Sequence, residues 1–340
     1  MRILVTGGCG FIGSNFIRYM LNKNNSDVLI NLDKLTYAGN PANLIDVEES
    51  YGGKRYHFVH GDIACQEDVV FALEEYKPDA VINFAAETHV DRSIHDPLPF
   101  ITTNITGTQT LLQVCKDFHI ERYVQISTDE VYGTLGPEGK FTETTPLDPR
   151  SPYSASKAAA DFLVMSYYHT HNMPVMITRC SNNYGPYQFP EKLIPFMFRQ
   201  ASKNEFLPVY GDGLNIRDWI HVQDHYHGIW LALTKGCPGG AYNFGGDAEY
   251  SNIDVVKTIL HIMNKPETLI MYVKDRPGHD RRYAMDYSLA QEFLGFEPKH
   301  SFEQGIVETI NWYQNNSPWM EAITSGEYLD FMQAWYGKRL

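Results

Sequence analysis

A tyrosine and a lysine one helical turn apart, Tyr153 and Lys157, are the residues of this sequence best suited to acid–base chemistry. Residues at positions i and i+4 of a helix share one face, so both side chains would point into the same site. A phenol ordinarily loses its proton at about pH 10, and a nearby ammonium group lowers that pKa towards the range in which a base works. Such a pair is common by chance. Thr128, just after the predicted strand 122–126, makes the arrangement more specific, because its hydroxyl could bind the same reacting alcohol.

Two adjacent carboxylates, Asp129 and Glu130, follow Thr128 directly. Burying two acids side by side at the end of a strand is costly, and is expected only if they move protons. One interpretation makes them an acid and a base that remove water from a substrate. The alternative is a solvated loop acid followed by a helix-capping acid. For dehydration, Asp129 must be protonated while Glu130 is ionised, a difference that neighbouring like charges make possible.

These side chains need a strand-and-helix framework, and the start of the chain predicts one that binds a dinucleotide. Residues 3–5 are an apolar run typical of a buried parallel strand, and from Phe11 onwards apolar residues recur at helical spacing. Gly7, Gly10 and Gly13 connect the two. Glycines at this spacing allow a tight turn, let backbone N–H groups approach a diphosphate and let the helix pack closely on the strand.

Asp33 supports this interpretation, because it closes the next apolar run, residues 28–32. A carboxylate at this place accepts hydrogen bonds from both hydroxyls of an adenosine ribose and repels a 2′-phosphate. The predicted cofactor is therefore NAD rather than NADP. Lys34 is the argument for NADP, since a cation beside the acid could hold the phosphate. A plain α/β turn with a solvated Asp33 is the remaining alternative.

The first half of the chain alternates predicted strands and helices, which indicates an α/β fold with a doubly wound parallel sheet, the Rossmann arrangement. The predicted strands after the first two are 56–59, 80–84, 122–126 and 175–178, and the predicted helices between them are 67–76, 99–118 and 151–171. Ligands of such sheets bind at the carboxyl ends of the strands.

Beyond about residue 180, proline and glycine become dense and the elements shorten. We therefore expect an NAD-binding domain over residues 1–180 and a smaller, C-terminal substrate-binding lobe over 181–340, with the site in the cleft between them. Two later segments, near 215–234 and 242–264, are expected to cross back to the larger lobe.

The composition limits the possible partners. A formal net charge of -13 argues against nucleic acid or an anionic membrane surface. No apolar run approaches the roughly 18 residues of a membrane span, and a first strand that begins at residue 2 leaves no room for a signal peptide. Five cysteines without paired spacing favour a reducing cytoplasm and speak against a zinc cluster. His225 and His227 would face apart on a helix, so no metal site is predicted.

Several longer motifs occur in a definite order, and together they resemble the extended short-chain dehydrogenase/reductase family. The motifs are residues 6–13, 85–93, 127–133, 153–157 and 179–186, continued by 189–195, 217–219 and 275–283. The specific part is Thr128-Asp129-Glu130, since sugar-nucleotide epimerases of this family usually have the Ser or Thr without the acid pair. Thr88 is a departure, because many relatives carry Ser there, although the hydroxyl is kept.

The resemblance implies a lyase that removes water from a nucleotide-linked hexose, with dTDP-glucose as the implied substrate. In the mechanism implied, Tyr153 takes the proton of the sugar C4 hydroxyl and Thr128 binds its oxygen. Glu130 then removes the C5 proton, and Asp129 protonates the C6 hydroxyl, which leaves as water. The residues do not decide between thymidine and uridine, cytidine or guanosine as the base. An epimerase or decarboxylase on the same scaffold is the close alternative, and an NAD-sensing protein without catalysis is a third.

Some contacts can be argued from the residues, and the resemblance supplies the others. Arg217 suits a diphosphate because a guanidinium makes two directed bonds, with an ordinary surface salt bridge as the alternative. Ala85 and Ala86 are small enough for the chain to pass close to the cofactor, or they serve tight packing alone.

The predicted catalytic residues are Thr128, Asp129, Glu130, Tyr153 and Lys157. The predicted cofactor residues are Gly7, Gly10, Phe11, Ile12, Gly13, Asp33, Lys34, Leu35, Thr36, Asp62, Ile63, Phe84, Ala85, Ala86, Thr88, Thr103, Tyr153, Lys157 and Asn183. The predicted substrate residues are Thr88, Thr128, Asn182, Lys192, Leu193, Pro208, Val209, Tyr210, Arg217, Asn252, Asp275, Arg276 and His279.

The resemblance also implies a homodimer, because the helices predicted at 99–118 and 151–171 resemble the pair that forms a four-helix interface in this family. Aromatic residues near the end of the chain are expected to serve lobe packing or subunit contact rather than a ligand. They are Trp312, Tyr313, Trp319, Tyr328, Phe331, Trp335 and Tyr336.

Overall fold

The computed structural model describes residues 1–323, which form a large lobe and a small lobe with a cleft between them. Their strands, in chain order, are β1 (Arg2–Thr6), β2 (Val28–Asp33), β3 (Tyr56–His60), β4 (Ala80–Asn83), β5 (Arg122–Thr128), β6 (Val175–Cys180), β7 (Asn182–Tyr184), β8 (Leu207–Tyr210), β9 (Ile216–His221), β10 (Ala241–Phe244), β11 (Glu249–Ser251) and β12 (Ile270–Val273).

The α-helices of the same residues, in chain order, are α1 (Phe11–Lys23), α2 (Ile45–Tyr51), α3 (Gln66–Tyr76), α4 (Val90–His95), α5 (Leu98–Phe100), α6 (Thr108–Asp117), α7 (Pro152–His171), α8 (Leu193–Ser202), α9 (Val222–Lys235), α10 (Asn252–Ile262), α11 (Ser288–Leu294), α12 (Phe302–Asn315) and α13 (Ser317–Ala322). Three short 3-10 helices, Pro41–Leu44, Asp129–Tyr132 and Glu267–Leu269, and one π-helix, Ile101–Gly107, accompany them.

Seven parallel strands form the sheet of the large lobe, in the order β10-β6-β5-β4-β1-β2-β3. The central strands are apolar on both faces because helices cover both sides, and Ile3, Leu4 and Val5 of β1 are fully buried. One layer holds α3, α6 and α7, and the other holds α1, α9 and α11. The predicted doubly wound parallel sheet is therefore confirmed.

The helix predicted at 99–118 is interrupted. Helical backbone runs from α5 to α6, but residues Ile101–Gly107 between them form the π-helix. The sequence periodicity did not indicate this, because a π-helix adds only a slightly wider turn to an otherwise helical pattern. The predicted helix at 151–171 is α7, which begins at Pro152 with Ser151 as its N-cap.

The small lobe contains a three-stranded sheet, β11-β9-β7, and a two-stranded sheet, β12-β8. Its core includes side chains of α8, α10 and α12. Of the two segments expected to cross back, α9 and β10 lie in the large lobe. In contrast, β9 pairs with β7 and β11, and α10 packs on α8, so these two elements belong to the small lobe.

Of the aromatic residues expected to pack near the end of the chain, Tyr313 is fully buried in the small-lobe core, with Trp312 and Trp319 against it. Tyr328, Phe331, Trp335 and Tyr336 lie outside the described residues. Within residues 1–323, no helix has the length and apolarity to span a membrane.

Candidate active site

The glycine turn after β1 has the geometry of a dinucleotide cradle. Gly7 has a φ of +68°, and a Cβ there would lie 2.7 Å from the Cα of Ala85, so the two backbones touch. A Cβ on Gly13 would lie 2.6 Å from the carbonyl oxygen of Gly7. Any larger residue would push α1 away from this turn, and the N-terminus of α1 would then no longer face the cleft with its free N–H groups.

Asp33 lies at the end of β2 on the wall of the cleft, and it is buried. Its carboxylate accepts hydrogen bonds from the backbone N–H of Cys9 (2.8 Å) and of Leu35 (2.8 Å), which fix its orientation. Burial raises the pKa of Asp33, and these two N–H groups oppose the shift. Lys34, the argument for NADP, instead pairs with Asp62 at 2.7 Å. Its charge is therefore already balanced, and the site suits a ribose better than a 2′-phosphate.

The cleft brings most of the predicted site residues together. Those that line it are Gly7, Gly10, Phe11, Ile12, Gly13, Asp33, Lys34, Thr36, Asp62, Ile63, Phe84, Ala85, Ala86, Thr88, Thr103, Thr128, Asp129, Glu130, Tyr153, Lys157, Asn182, Asn183, Lys192 and Leu193. The cleft runs along the carboxyl ends of the parallel strands, as the fold requires.

Asp129 and Glu130 form the first turn of the 3-10 helix that follows β5, and both line the cleft. The Thr128 side chain caps this turn by accepting the N–H of Glu130 (3.3 Å). Asp129 is only 2% exposed, accepts the Thr128 hydroxyl at 3.1 Å on Oδ1, and has no hydrogen-bond partner among the described residues on Oδ2. The alternative of a solvated loop acid is therefore wrong.

The two carboxyls differ in their surroundings. Burial, and then the charge of Glu130, raises the pKa of Asp129 well above its ordinary value. Burial also raises the pKa of Glu130, but Arg276, Lys192 and Arg217 all act to lower it. The arrangement favours a protonated Asp129 beside an ionised Glu130.

Tyr153 lies in the first turn of α7, which a capping box between Ser151 and Ser154 holds in place. Lys157 lies one turn later, and its ammonium group donates to the carbonyl oxygen of Ile126 at 2.6 Å. In the protein alone, burial outweighs any lowering of the Tyr153 pKa by Lys157. Burial raises that pKa well above its ordinary value and Glu130 adds to the rise, whereas a hydrogen bond with Thr128 lowers it. In the folded chain, Tyr153 therefore keeps its proton.

Arg217 is buried rather than at the surface, so the alternative of an ordinary surface salt bridge is wrong. Its guanidinium stacks on the ring of Tyr283 at 4.2 Å and donates to the carbonyl oxygens of Ile216 (2.8 Å) and Asp280 (3.0 Å). From this position it lowers the pKa of Asp129.

Nine predicted residues do not line this cleft: Leu35, Pro208, Val209, Tyr210, Arg217, Asn252, Asp275, Arg276 and His279. Val209 is buried in the core of the small lobe. The side chain of Leu35 is partly buried against the core of the large lobe. Tyr210, Asp275, Arg276 and His279 instead form a group of polar contacts, in which His279 Nδ1 lies 2.7 Å from Asp275 Oδ1 and the rings of Tyr210 and His279 meet edge to face.

Sequence reasoning missed other side chains on the wall of the cleft, including Glu87, Ser127, Cys180, Ser181, Gln188, Phe189 and Glu191. Glu191 has the most unusual environment. Burial raises its pKa to about 7, while Tyr37 donates its hydroxyl to Oε1 at 3.0 Å and Arg92 Nε lies 3.6 Å from Oε2. The signal available beforehand was its place within the 189–195 motif, directly before Lys192.

Residues 4–309 match the family model described as GDP-mannose 4,6 dehydratase. The chain belongs to this family, within the extended short-chain dehydrogenase/reductases that its motifs resemble. Among curated proteins, a dTDP-glucose 4,6-dehydratase of Xanthomonas campestris pv. campestris (strain B100) is 50% identical over an alignment of 343 positions that covers 96% of this chain and 96% of that protein. A dTDP-glucose 4,6-dehydratase of Salmonella typhimurium is 45% identical over an alignment of 364 positions that covers 100% of both chains.

Solved structures show the same similarity. The crystal structure of a Bacillus anthracis dTDP-glucose 4,6-dehydratase in complex with NAD has a TM-score of 0.89 at 47% identity, and covers 95% of this chain and 99% of that chain. DesIV, a dTDP-glucose 4,6-dehydratase of Streptomyces venezuelae with NAD and TYD bound, has a TM-score of 0.91 at 45% identity, over 95% and 100%. A UDP-glucose 4-epimerase of Thermus thermophilus with NAD has a TM-score of 0.85 but only 29% identity, over 92% and 99%. The fold is thus common to dehydratases and epimerases, and the sequence is closer to the dehydratases.

Proposed function

We propose that this chain is an NAD-dependent lyase that converts dTDP-glucose to dTDP-4-keto-6-deoxyglucose and water. The observation that carries the proposal is the pair of buried carboxyls, Asp129 and Glu130, which line one cleft with Thr128 and Tyr153. Relatives at 45–50% identity over almost the whole chain are dTDP-glucose 4,6-dehydratases. An epimerase needs no such acid pair, because it breaks no carbon–oxygen bond at C6.

The residues of the cleft fit NAD. The glycine turn leaves room where a Cβ would collide, and Asp33 has two oriented carboxylate oxygens that can each accept a further hydrogen bond. Lys157 and Asn183 line the same cleft near Tyr153. Bound here, NAD supplies a positive ring that favours a Tyr153 phenolate, a hydride acceptor for sugar C4 and a hydride donor for C6, and it ends the reaction in its starting form.

The first chemical step is the loss of a proton from the C4 hydroxyl of the sugar to Tyr153. Thr128 hydrogen-bonds with Tyr153 and holds the reacting oxygen close to it. Loss of this proton together with the C4 hydride leaves a ketone at C4. The C5 hydrogen then becomes acidic, because its removal gives an enolate.

The elimination uses the two carboxyls in different protonation states. Ionised Glu130 removes the C5 proton, and protonated Asp129 gives its proton to the C6 hydroxyl, which leaves as water. The return of the hydride to C6 and of a proton to C5 completes the 4-keto-6-deoxy sugar. The surroundings favour this division, since burial raises the pKa of both carboxyls, but three cations oppose the rise at Glu130 whereas the charge of Glu130 adds to it at Asp129.

For the nucleotide part of the substrate, we propose Arg217, Lys192 and Arg276 as the cations that face the diphosphate. Lys192 donates to the carbonyl oxygen of Thr88 at 2.7 Å, which holds it at the border of the two lobes. Asn182, Leu193, Pro208, Val209, Asn252, Asp275 and His279 are proposed to surround the sugar and the nucleoside. This assignment makes residues 1–180, joined by α9, β10 and α11, the NAD-binding domain and makes the small lobe the substrate-binding lobe.

The test is to compare D129N and E130Q with the unaltered chain on dTDP-glucose. Both variants should still oxidise C4, seen as a transient NADH absorbance, and both should lose product formation by about 100-fold or more. The 4-keto-6-deoxy product is measured by its absorbance in strong base. Unimpaired product formation by both variants, or formation of a C4 epimer by the unaltered chain, would remove the proposal.

We further propose that the chain is a cytoplasmic homodimer. The five cysteines are all free, as suits a reducing compartment. Four large apolar side chains are exposed on, or directly beside, the two helices that the family resemblance implicates in dimer contact: Leu98 (65% exposed), Ile101 (48%), Phe118 (38%) and Phe162 (64%). Their burial in a four-helix contact would remove an apolar patch from water.

A further inference from the structure

The 85–93 motif contains an acidic residue, Asp91, for which the proposed mechanism has no role. Asp91 lies on α4, in the large lobe, and is only 6% exposed. The hydroxyl oxygen of Ser93, on the same helix, accepts the backbone N–H of Tyr153 at 3.2 Å. This bond attaches α4 to α7, the helix that carries Tyr153. A buried carboxylate is costly unless it is paired.

Both oxygens of the Asp91 carboxylate contact the small lobe. Oδ2 accepts the hydroxyl of Tyr210 at 2.9 Å, and Oδ1 lies 3.6 Å from Nη1 of Arg276. Tyr210 ends β8, and Arg276 follows β12, the strand paired with β8. One carboxylate therefore joins the large lobe to both strands of the two-stranded sheet, on residues that we expect to bind the nucleotide.

Arg276 is placed between two anions. Burial of its side chain acts to lower the pKa of Arg276, but the charges of Asp91 and then Glu130 raise that pKa above its ordinary value. Arg276 is also the first of the three cations that lower the pKa of Glu130. A residue that holds Arg276 thus also holds the charge that keeps Glu130 ionised.

We propose that Asp91 is a positioning residue, which fixes Tyr210 and Arg276 of the small lobe against the large lobe and so keeps Arg276 beside Glu130. The inference rests on the proposed function, in which Glu130 is the base and Arg276 faces the substrate. Asp91 itself touches no reacting atom. It acts through the two small-lobe side chains.

The surroundings of Glu130 define what a change at Asp91 should do. The charged and titratable groups that face it are the cations Arg276, Lys192 and Arg217, and the groups Asp129, Tyr153, Asp280 and Tyr283. Release of Arg276 raises the pKa of Glu130, because a nearby positive charge is lost. Simple removal of the Asp91 charge with Arg276 left in place would act in the opposite direction, since one negative charge fewer favours an ionised Glu130.

The experiment is the D91N variant with NAD bound, compared with the unaltered enzyme in steady-state kinetics on dTDP-glucose from pH 5 to 9. An amide carries no charge and cannot form an ion pair with a guanidinium, so KM for dTDP-glucose should rise about tenfold. The acid limb of the kcat profile should shift to higher pH, because Glu130 must then be deprotonated against a higher pKa. An unchanged KM, or an acid limb that stays in place or moves to lower pH, would overturn the inference.

Two comparisons make the result specific. D212N removes another Asp–Arg pair of the small lobe, the exposed contact of Asp212 with Arg281 at 2.9 Å, and should leave both KM and the acid limb unchanged.

Y210F removes the hydroxyl that donates to Asp91 but leaves Arg276 paired, so KM should rise without a shift of the acid limb. If D91N does not fold, a Y210F profile with a shifted acid limb or an unchanged KM overturns the inference. Failure of the unaltered enzyme to turn over dTDP-glucose would refute the proposed function instead.

Discussion

Asp129 and Glu130 are neighbours in the chain, yet the fold gives them different tasks. Asp129 is in contact with one hydroxyl and is otherwise enclosed, so burial dominates its pKa. Glu130 faces three cations. Burial raises the pKa of both carboxyls, but the cations oppose the rise at Glu130, so Asp129 holds a proton more firmly than Glu130, which is the division that elimination of water requires.

The same burial predicts an effect on stability for D129N. Asp129 holds its proton more tightly when folded than when unfolded, so between the two pKa values the unfolded chain binds fewer protons, and stability falls as the pH rises through that interval. Asparagine does not ionise, so D129N should be more stable than the unaltered chain at pH 8, by on the order of 1–3 kcal/mol. The gain should disappear near pH 4, about the ordinary pKa of aspartate.

Thermal unfolding at several pH values measures this effect. The control is D212N, because Arg281 lowers the pKa of Asp212, so its loss should bring no gain at pH 8. A difference between D129N and the unaltered chain that stays constant from pH 4 to pH 8 would contradict the assignment of a raised pKa to Asp129.

Some residue roles could be predicted from the sequence because they depend on local spacing. Gly7 and Gly13 in a turn, and Tyr153 one turn before Lys157, are examples. The bond from Lys157 to the carbonyl oxygen of Ile126 could not be predicted, since it depends on how α7 packs on β5. The same holds for Arg276, which comes close to Glu130 only through the pairing of β12 with β8.

At the scale of elements, the π-helix brings one side chain into contact with two other segments. Asn104 is buried and donates to the hydroxyl of Ser156 (2.8 Å) on α7 and to the carbonyl of Glu87 (3.0 Å). It also accepts the N–H of Glu87 at 2.9 Å. The turn that carries Glu87 and Thr88 along the cleft is therefore fixed to the helix that carries Tyr153.

We predict that N104A lowers the free energy of unfolding by about 2–4 kcal/mol, because three hydrogen bonds are lost and half-buried backbone groups of Glu87 are left without these partners. NAD should also bind more weakly, since the Glu87–Thr88 turn lines the cleft. Denaturant unfolding and titration with NAD measure the two effects. The control N315A changes an exposed residue at the end of α12 and should alter neither; an N104A variant equal to it would show that the contact is dispensable.

At the scale of the whole molecule, Phe162 is a large apolar residue that α7 exposes on the face proposed for dimer contact. We predict that F162E converts a dimer to a monomer, because a carboxylate would be buried in the contact without a partner. Light scattering at micromolar concentration measures the change. F293E is the matched control: Phe293 is 57% exposed on α11, in the opposite helical layer, so its replacement should leave the dimer intact. A monomeric unaltered chain, or dissociation by both variants, would contradict the proposed contact.

The large lobe was predictable from alternating apolar runs, because parallel strands buried on both faces leave that pattern in the sequence. The small lobe was harder, since strands as short as β7 and β11 have only three residues each and little periodicity. The sequence did not indicate which lobe contains β9, α9, β10 and α10. Their places follow from strand pairing between segments far apart in the chain, and a linear pattern does not record such pairing.

The edge position of β10 has a consequence for how this chain is made. The strand β6 is complete at Cys180, but the strand that pairs with its outer edge ends only at Phe244. While the intervening segment is being synthesised, β6 therefore presents unpaired backbone groups at the edge of a growing sheet. A ribosome must release more than sixty further residues before that edge is covered, so the nascent chain passes through a stage that is open to association with other chains and that a chaperone would be suited to protect.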